Sequence, residues 1–398
     1  MTDLFRVACL LLMGGLATGC VAPRTPYTLS EAARAEPDVA HVRTWGDYPD
    51  AAFERRTSRV IEQAGRSPTY LTLSGGGGDG AYGAGILNGW TQSGRRPEFT
   101  IVSGVSTGAL IAPFAFLGPR YDATIKDLYT SGVAEEFLAD PSLVSTLFGA
   151  SVFSNDNLRQ VVARYVTPDF VAEVARESER GRLLLVLTTN LDAQRPVLWD
   201  MGLIARGGDQ RAVELFRDVM VASASVPVVF PPTLIGVQAN GRAFQEMHVD
   251  GGISANVFTL PRNYLGASST NRFSVRGGRM FILLNTSPLP DFEVTENRTT
   301  EITKRTISLT LAQQIRNDLR STYDASTRTG FSFNLTYIRK EDVAGTSDPS
   351  GQSGFDTARM RRLYKIGFER GRTGNFWQTK PPSARDEIPS REARIAAR

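Results

Sequence analysis

The sequence contains very little cysteine and histidine. Its 398 residues include two of each, Cys9, Cys20, His41 and His248. Because there is no C-x-x-C pair and no cluster of cysteine with histidine, neither a structural zinc site nor a disulfide framework is expected. We expect no metal and no organic cofactor. A mechanism that needs histidine as its base has only two residues to choose from.

An excess of charge of one sign is also absent. Lysine and arginine number 45 against 41 aspartates and glutamates, which gives a net charge of +4. The basic residues are scattered, so no nucleic-acid groove is predicted, and no specific protein partner is inferred. With 41% hydrophobic and 22% charged residues, the composition is that of a globular protein. The length suffices for one large α/β domain or two smaller ones.

The apolar run near the N-terminus is too short to span a bilayer. It extends from Val7 to Leu16, follows Arg6 and ends in small residues, which is typical of a signal peptide. Residues 16–20, Leu-Ala-Thr-Gly-Cys, resemble the bacterial lipobox, in which cleavage exposes the cysteine for lipid attachment. We therefore predict a lipoprotein-type signal peptide over residues 1–19 and a lipidated Cys20. An N-terminal core segment is the alternative.

Lipidation predicts a location. After cleavage Cys20 is the only cysteine left, and acylation consumes it, which suits an oxidising periplasm. Residues 20–60 are predicted to contain the lipidated cysteine and a tether. Val21, where a sorting signal would have aspartate, favours the outer membrane. We expect a lipid-anchored protein of the bacterial cell envelope, on the periplasmic or surface side.

A serine between a strand and a helix organises the chain. The run Phe99 to Val102 reads as a buried strand, and Ala109 to Leu117 reads as a helix. Between them, Gly104-Val105-Ser106-Thr107-Gly108 has the G-x-S-x-G pattern of a nucleophile elbow. Such a turn holds the serine in a strained conformation, and only small residues on either side allow it. Ser106 is the candidate nucleophile, and Gly104 and Gly108 are the elbow glycines.

A glycine-rich loop precedes this elbow. A strand, Tyr70 to Leu73, leads into the loop Ser74 to Gly85, and a helix follows from Ile86 to Ser93. Strand, glycine loop and helix form an anion-binding arrangement, either for a nucleotide phosphate or for the oxyanion of an acyl-transfer reaction. The acidic residue expected about 20 residues after a dinucleotide loop is missing, and so is a Walker lysine. The elbow directly downstream favours an oxyanion hole.

The base that would accept the serine proton has few candidates. His41 lies in the predicted tether and reads as a solvated surface residue. His248 and Asp250 are two apart on one strand, so their side chains point the same way and do not form a relay. No histidine follows Asp250, as a Ser–acid–His order would require. Asp250 could act directly as the base, although its position alone equally suits an ordinary turn aspartate.

Together these blocks resemble the patatin-like phospholipase family. The family's glycine loop is matched by Ser74 to Gly85, its G-x-S-x-G by Gly104 to Gly108, and its D-G-G by Asp250 to Gly252. A fourth block, Ala224 to Pro232, is similar to its proline-rich segment, and Asn256 and Pro261 match residues after the family's aspartate. The blocks cover roughly residues 68–290 in the expected order.

The resemblance implies a fold and an activity. The fold is a three-layer α/β architecture with a central, mainly parallel sheet flanked by helices. The activity is lipid acyl hydrolysis of phospholipase A, lysophospholipase or esterase type through an acyl-enzyme. Its residues are a Ser106–Asp250 dyad and an oxyanion hole in the glycine loop, Gly75, Gly76, Gly77, Gly78 and Gly80, with Gly251 and Gly252 completing the D-G-G motif. An acyltransferase, a thioesterase or a non-catalytic envelope lipoprotein remain alternatives.

One residue departs from the family's pattern. The family often has arginine or lysine in the glycine loop, where this chain has Asp79. A carboxylate that points into an oxyanion hole would oppose the developing charge, so we expect Asp79 to face solvent or to cap the following helix.

The remaining chain is divided by its patterns. Residues 61–300 are predicted to form the catalytic domain, residues 301–378 a C-terminal α/β extension packed on it, and residues 379–398 a disordered tail. The apolar stretch Ser142 to Phe153 is either a lid or membrane-contacting segment, or plain core. A basic helix from Phe355 to Arg370 either faces anionic lipid or is a solvated surface.

Overall fold

The computed structural model of the chain describes residues 24–65, 67–136, 155–227, 229–259, 277–343 and 355–383. The predicted signal peptide with Cys20, the apolar stretch 142–153, Pro261 and most of the predicted tail lie outside these ranges.

Nine strands are present in the part of the chain that the structure describes. They are β1 (Arg43–Trp45), β2 (Thr69–Leu73), β3 (Ile101–Gly104), β4 (Leu183–Asn190), β5 (Arg195–Asp200), β6 (Thr233–Ala239), β7 (Arg242–Asp250), β8 (Arg279–Leu284) and β9 (Ser332–Tyr337).

The helices alternate with these strands over most of the chain. They are α1 (Leu29–Ala32), α2 (Ala51–Gln63), α3 (Gly80–Gln92), α4 (Thr107–Leu117), α5 (Asp122–Thr130), α6 (Val133–Glu136), α7 (Asn155–Tyr165), α8 (Pro168–Glu179), α9 (Met201–Ala205), α10 (Gln210–Ser223), α11 (Thr299–Thr329), α12 (Lys340–Val343) and α13 (Thr357–Thr373).

All nine strands belong to one sheet. Its main path runs β1-β5-β4-β3-β2-β8-β9, and the β6–β7 hairpin attaches to β4. The strands β4, β3, β2, β8 and β9 are parallel to one another. β5, β1 and the β6–β7 hairpin pair antiparallel. Except for β9 at the end of the path, the parallel strands are buried along nearly their whole length, which is typical of strands covered on both faces.

Helices cover both faces of this sheet. On one face α2 and α11 pack against Tyr70, Leu185 and Ile282 among others. On the other face α3, α4, α8, α10 and α13 pack against residues that alternate with these, such as Leu71 and Val186. Because side chains alternate along a strand, each strand contributes to both cores. The predicted three-layer α/β fold with a mainly parallel sheet is confirmed.

The structure places one predicted helix start differently and shows why the long C-terminal helix ends where it does. The helix after the glycine loop begins at Gly80 and not at Ile86, because close packing against α13 outweighs the poor helix propensity of its glycines. The long helix of the C-terminal part ends at Thr329, where Gly330 adopts the left-handed conformation (φ 83°) that terminates helices.

The tether predicted for residues 20–60 is wrong from residue 24 onward. Arg24 binds Asp192 at 2.7 Å, and the ring of Tyr27 stacks on Phe244 with centroids 4.4 Å apart. β1 pairs with β5, and α2 contributes to the core. The segment therefore belongs to the folded domain. Its proline and alanine content concealed strand pairing and burial that depend on residues far along the chain.

The C-terminal part shares the sheet of the catalytic region. β9 pairs in parallel with β8, and the predicted domain boundary at residue 300 falls inside α11. α13 lies against α3, the helix that follows the glycine loop, with backbones in direct contact. The C-terminal residues are therefore in a position to shape that loop.

Candidate active site

Ser106 occupies a strained turn between β3 and α4. Its φ is 55° and its ψ is −126°, a conformation that non-glycine residues rarely adopt. The backbone N–H of Ser106 donates to Ser223 Oγ at 3.0 Å, and Ser223 in turn donates to the Leu187 carbonyl at 2.7 Å. The surrounding core thereby holds a conformation that would be unfavourable in isolation, as predicted for a nucleophile elbow.

The two elbow glycines are required by close approach of the backbone. A Cβ on Gly104 would lie 2.3 Å from the Gly108 carbonyl oxygen. A Cβ on Gly108 would lie 2.2 Å from the Leu73 carbonyl oxygen on the neighbouring strand. No side chain fits at these distances, so the G-x-S-x-G spacing follows from the packing of α4 onto β2 and β3.

Strand pairing brings Asp250 to Ser106. β3 pairs with β4 only up to Gly104, which lies opposite Val186. Beyond that point β7 runs antiparallel along the same edge of β4 and ends with Asp250 opposite Thr188. The carboxyl ends of β3 and β7 therefore meet head to head on one edge of β4. Ser106 and Asp250 extend from these two ends at the same level of the sheet.

The Asp250 carboxyl group is buried and only partly satisfied. Its Oδ1 accepts a hydrogen bond of 2.6 Å from the Gly252 N–H, whereas Oδ2 is buried without a partner of full hydrogen-bond geometry. Burial raises its pKa to about 7, although interactions with the Ser106 hydroxyl and the Gly252 N–H lower it in part. A carboxyl group with such a pKa can accept and return a proton near neutral pH.

The glycine loop presents unused N–H groups beside Ser106. Among the hydrogen bonds of the described residues, none is donated by the N–H groups of Gly75, Gly76 or Gly77. A Cβ on Gly75 would lie 3.1 Å from the Ser106 Cβ and 3.7 Å from its Oγ. The loop is therefore adjacent to the nucleophile and has donors available for an oxyanion.

Asn285, which follows β8, holds this loop in place. Its Oδ1 accepts from the Gly83 N–H at 3.0 Å, its Nδ2 donates to the Ser74 carbonyl at 2.9 Å, and its backbone N–H donates to Ser74 Oγ at 2.8 Å. The side chain is fully buried. One amide thus joins both ends of the glycine loop to the neighbouring parallel strand.

A cavity of about 860 Å³ opens onto these residues. Ser106, Asp250 and the loop residues Gly75, Gly76 and Gly77 line it. Gly78 and Gly80 do not line it; Gly80 instead faces Thr107 and Tyr129. Of the five predicted oxyanion candidates the structure therefore brings three to the nucleophile. Apolar residues of α11, among them Ile307, Leu311 and Ile315, form much of the remaining wall.

His248 belongs to a separate buried network. Its Nδ1 lies 2.9 Å from Thr188 Oγ1 and its Nε2 lies 3.2 Å from Glu246 Oε2, and Glu246 also binds Arg43. Burial lowers the pKa of His248 below its usual value. Burial raises the pKa of Glu246, but hydrogen bonds from His248 and Arg43 outweigh it and leave that pKa below the usual range. Both ring nitrogens are engaged away from the cavity, so His248 has no contact with Ser106. His41 is exposed, as expected.

The expectation for Asp79 is wrong. It neither faces solvent freely nor caps α3 with its side chain. Its two carboxylate oxygens accept hydrogen bonds of 2.8 Å each from Nε and Nη2 of Arg359 at the start of α13. The family often has an arginine or lysine within the glycine loop. In this chain Arg359, which is distant in sequence, places a positive charge next to the loop. The pairing neutralises a carboxylate that would otherwise oppose an oxyanion.

Three residues of the site lay outside the sequence interpretation. Asn285 directly follows the apolar strand β8, and a polar residue at the carboxyl end of a parallel strand is a usable signal. Ser223 directly precedes the fourth family block, but nothing local indicates that it binds Ser106. Arg359 was one of several arginines on a basic helix, and only the packing of α13 distinguishes it.

Comparisons with known proteins agree with these motifs. Residues 71–261 match the family described as patatin-like phospholipase. This match agrees with the resemblance that the motifs indicate, and it supports a lipid hydrolase in general terms. Asn285, α11 and Arg359 lie beyond the matched residues.

Two solved structures are similar to the chain at low identity. VipD from Legionella pneumophila has a TM-score of 0.41 and 14% identity, covering 78% of this chain and 67% of VipD. Full-length ExoU from Pseudomonas aeruginosa, solved with SpcU, has a TM-score of 0.27 and 14% identity, covering 66% of this chain and 53% of the other. This chain thus spans about half the length of ExoU. The search of curated proteins found no match.

Within the described ranges, His, Cys, Asp and Glu side chains do not come together in a group of three or more that could hold a metal ion. No helix of the same ranges is long and apolar enough to cross a membrane.

Proposed function

We propose that the protein is a serine acyl hydrolase of phospholipids or related lipid esters, with Ser106 as nucleophile and Asp250 as proton acceptor. The observation that carries this proposal is the meeting of β3 and β7 on one edge of β4. It brings a strained serine, a buried carboxyl group and unused glycine N–H groups to one apolar cavity. A scaffold has no physical need for this combination.

The proposed reaction has two steps. Asp250 accepts the Ser106 proton as Oγ attacks the ester carbonyl, and the N–H groups of Gly75, Gly76 and Gly77 stabilise the oxyanion. Collapse of this intermediate expels the alcohol, which takes the proton from Asp250, and leaves an acyl-enzyme. Water then gives its proton to Asp250 and attacks the acyl carbonyl. Release of the fatty acid returns the proton to Ser106.

The experiment compares variants of the chain from residue 21 on a soluble p-nitrophenyl ester and on phospholipid. Ser106→Ala and Asp250→Asn are expected to lose at least about 10³-fold in kcat, because each removes a member of one catalytic unit. Ser58→Ala and Asp169→Asn, on α2 and α8, are matched controls that should retain full activity. A fluorophosphonate probe should label the wild type and not Ser106→Ala.

Each alternative predicts a different result. If folded His248→Ala is as inactive as Ser106→Ala, a histidine-assisted mechanism replaces the direct aspartate base. If the wild type neither turns over ester nor accepts the probe, the protein is a binding module. Product analysis with an added alcohol or thiol acceptor separates hydrolysis from acyl transfer.

The proposal includes a lipid anchor at Cys20 that holds the enzyme in the bacterial cell envelope. The lipobox-like sequence supports it. In addition, Arg24 forms an ion pair with Asp192 in the turn after β4. This turn follows the carboxyl end of β4, and Ser106 follows the carboxyl end of the parallel strand β3. Four residues span at most about 14 Å, so a lipid on Cys20 would be attached close to the folded domain. Cys20→Ala should abolish both metabolic labelling with a fatty-acid analogue and membrane fractionation; unlabelled wild type would contradict the anchor.

A further inference from the structure

Large apolar side chains lie exposed on residues 292–309, a segment that contributes Arg305, Ile307 and Leu309 to the cavity lining. Phe292 and Val294, between β8 and α11, are 89% and 82% exposed. Ile302, Ile307 and Leu309, on the first turns of α11, are 47%, 54% and 56% exposed. Single exposed apolar residues are ordinary, but a group on one segment beside a cavity indicates an interaction surface. We call these five residues the apolar rim.

The apolar rim is continuous with the cavity wall. Ile307, Leu311 and Ile315 are spaced four apart on α11, so they form one stripe along the helix. All three line the cavity, and the stripe runs from half-exposed Ile307 to buried Ile315. An acyl chain that enters at the apolar rim would therefore stay on apolar surface until it reaches the cavity that contains Ser106.

The charge around the opening is positive. Five basic and three acidic side chains line the cavity: Arg305, Arg316, Arg339, Lys340 and Arg359 against Asp79, Asp250 and Asp291. The pairing of Asp79 with Arg359 cancels one charge of each sign, and Arg339 lies 3.6 Å from Glu341. Asp250 is buried with a raised pKa, so the positive excess at the opening is small. Next to the apolar rim, Glu293 lies 3.5 Å from Arg305. A layer of phosphate groups complements this arrangement.

We propose that the apolar rim docks on the surface of a phospholipid bilayer. Phe292 and Val294 enter the boundary between head groups and acyl chains, and the cations of the opening lie at the level of the phosphates. This rests on the proposed function, since the cavity behind the rim is taken to receive an acyl chain. A bilayer fits better than a second copy of the chain, because only a lipid uses both the apolar rim and the cavity beside it.

The test measures binding to sucrose-loaded vesicles by sedimentation. The chain from residue 21 carries Ser106→Ala, so that hydrolysis does not alter the vesicles; it contains every residue that the structure describes. Phe292→Ser with Val294→Ser removes two rim side chains that do not line the cavity. The matched control is Leu29→Ser with Tyr48→Ser, which removes side chains 82% and 71% exposed on either side of β1, at the opposite margin of the sheet.

We expect the rim double variant to bind vesicles of phosphatidylcholine and phosphatidylglycerol at least about 10-fold more weakly, since burial of two such side chains contributes more than one factor of ten. The control should bind like the parent. With Ser106 restored, the rim variant should keep wild-type hydrolysis of the soluble ester and lose phospholipid hydrolysis. Added salt should weaken binding to the anionic vesicles more than to pure phosphatidylcholine.

Other results overturn the proposal in distinguishable ways. Equal vesicle binding by the rim and control variants refutes docking through the rim. A change of oligomeric state in the rim variant without a change in vesicle binding assigns the rim to self-association. Hydrolysis of the soluble ester without any vesicle binding refutes docking and leaves the proposed function intact. Vesicle binding without any ester hydrolysis refutes the proposed function and leaves docking intact.

Discussion

The Asp79 carboxylate and the Arg359 guanidinium form a two-point hydrogen-bonded ion pair, with both donor–acceptor distances at 2.8 Å. Asp79 ends the short 3₁₀ turn Gly77–Asp79 of the glycine loop, and Arg359 lies in the first turn of α13. Phe355, just before that helix, is 3.5 Å from the position of a Cβ on Gly77. The C-terminal helix thus contacts the loop that presents the candidate oxyanion donors.

We predict that Arg359→Gln lowers kcat/KM for soluble ester by roughly 10-fold, because small displacements of catalytic groups lower rates steeply. Asp79→Asn should have a similar effect, and the double variant should be no worse than either single variant, as expected for one shared interaction. Arg359→Lys should recover only part of the activity, since lysine cannot form the two-point contact. The measurement is steady-state kinetics on all four variants.

The control for this cycle lies on the same helix. Arg372 pairs with Glu369 on the exposed surface of α13, where both side chains are about half exposed. Arg372→Gln should therefore leave kcat/KM unchanged. Wild-type activity in Arg359→Gln would mean that Asn285 and the core alone are sufficient to hold the loop.

The local parts of the site could be predicted from the sequence, because their signals are adjacent along the chain. A strand, a turn of small residues and a helix identify Ser106, and a strand that ends in Asp-Gly-Gly identifies Asp250 as a candidate. The three-layer fold was implied by the family resemblance that these motifs carry. That the carboxyl ends of β3 and β7 meet on one edge of β4 is a property of strand pairing, which no local pattern encodes.

The supporting residues depend on contacts between distant segments. Ser223 is 117 residues from Ser106 and Arg359 is 280 residues from Asp79 along the chain. Their residue types are common, and their roles arise only when α10 and α13 pack. The error for residues 24–60 has the same origin, since a short strand such as β1 acquires its partner from β5, more than a hundred residues later.

The raised pKa of Asp250 predicts the pH dependence of hydrolysis. The carboxyl group must be ionised to accept the Ser106 proton, and its pKa is about 7. kcat/KM for a neutral soluble ester should therefore rise with pH, level off above the midpoint near 7, and fall about tenfold per pH unit below it. Activity that is independent of pH between 5 and 8 would contradict Asp250 as the base.

The same pKa predicts that Asp250 destabilises the folded protein at high pH. Its folded pKa of about 7 lies above its ordinary value of 3.8, so the folded state favours the protonated form. That contribution to stability is complete below pH 3.8 and is lost as pH rises through 7.

Asp250→Asn, which can still accept from the Gly252 N–H, should raise the free energy of unfolding by about 4 kcal/mol at pH 8 and by less than about 1 kcal/mol at pH 4. Urea unfolding at both pH values measures this difference, and equal effects at the two values would refute it.

The contact between α3 and α13 predicts a link between helix packing and catalysis. A Cβ on Gly89 would lie 2.0 Å from the Phe368 carbonyl oxygen, and one on Gly371 would lie 2.4 Å from the Ile86 carbonyl oxygen. Because the neighbouring atoms belong to the helix backbones, Gly371→Ala must push the helices apart. We expect it to reduce the free energy of unfolding by about 3 kcal/mol and to lower kcat/KM as Arg359→Gln does, since it displaces the helix that carries Arg359.

Gly236→Ala on β6 is the matched control, because a Cβ there meets nothing within 4 Å. If Gly371→Ala is destabilised but its folded fraction keeps wild-type kcat/KM, then α13 supports the fold without positioning the glycine loop.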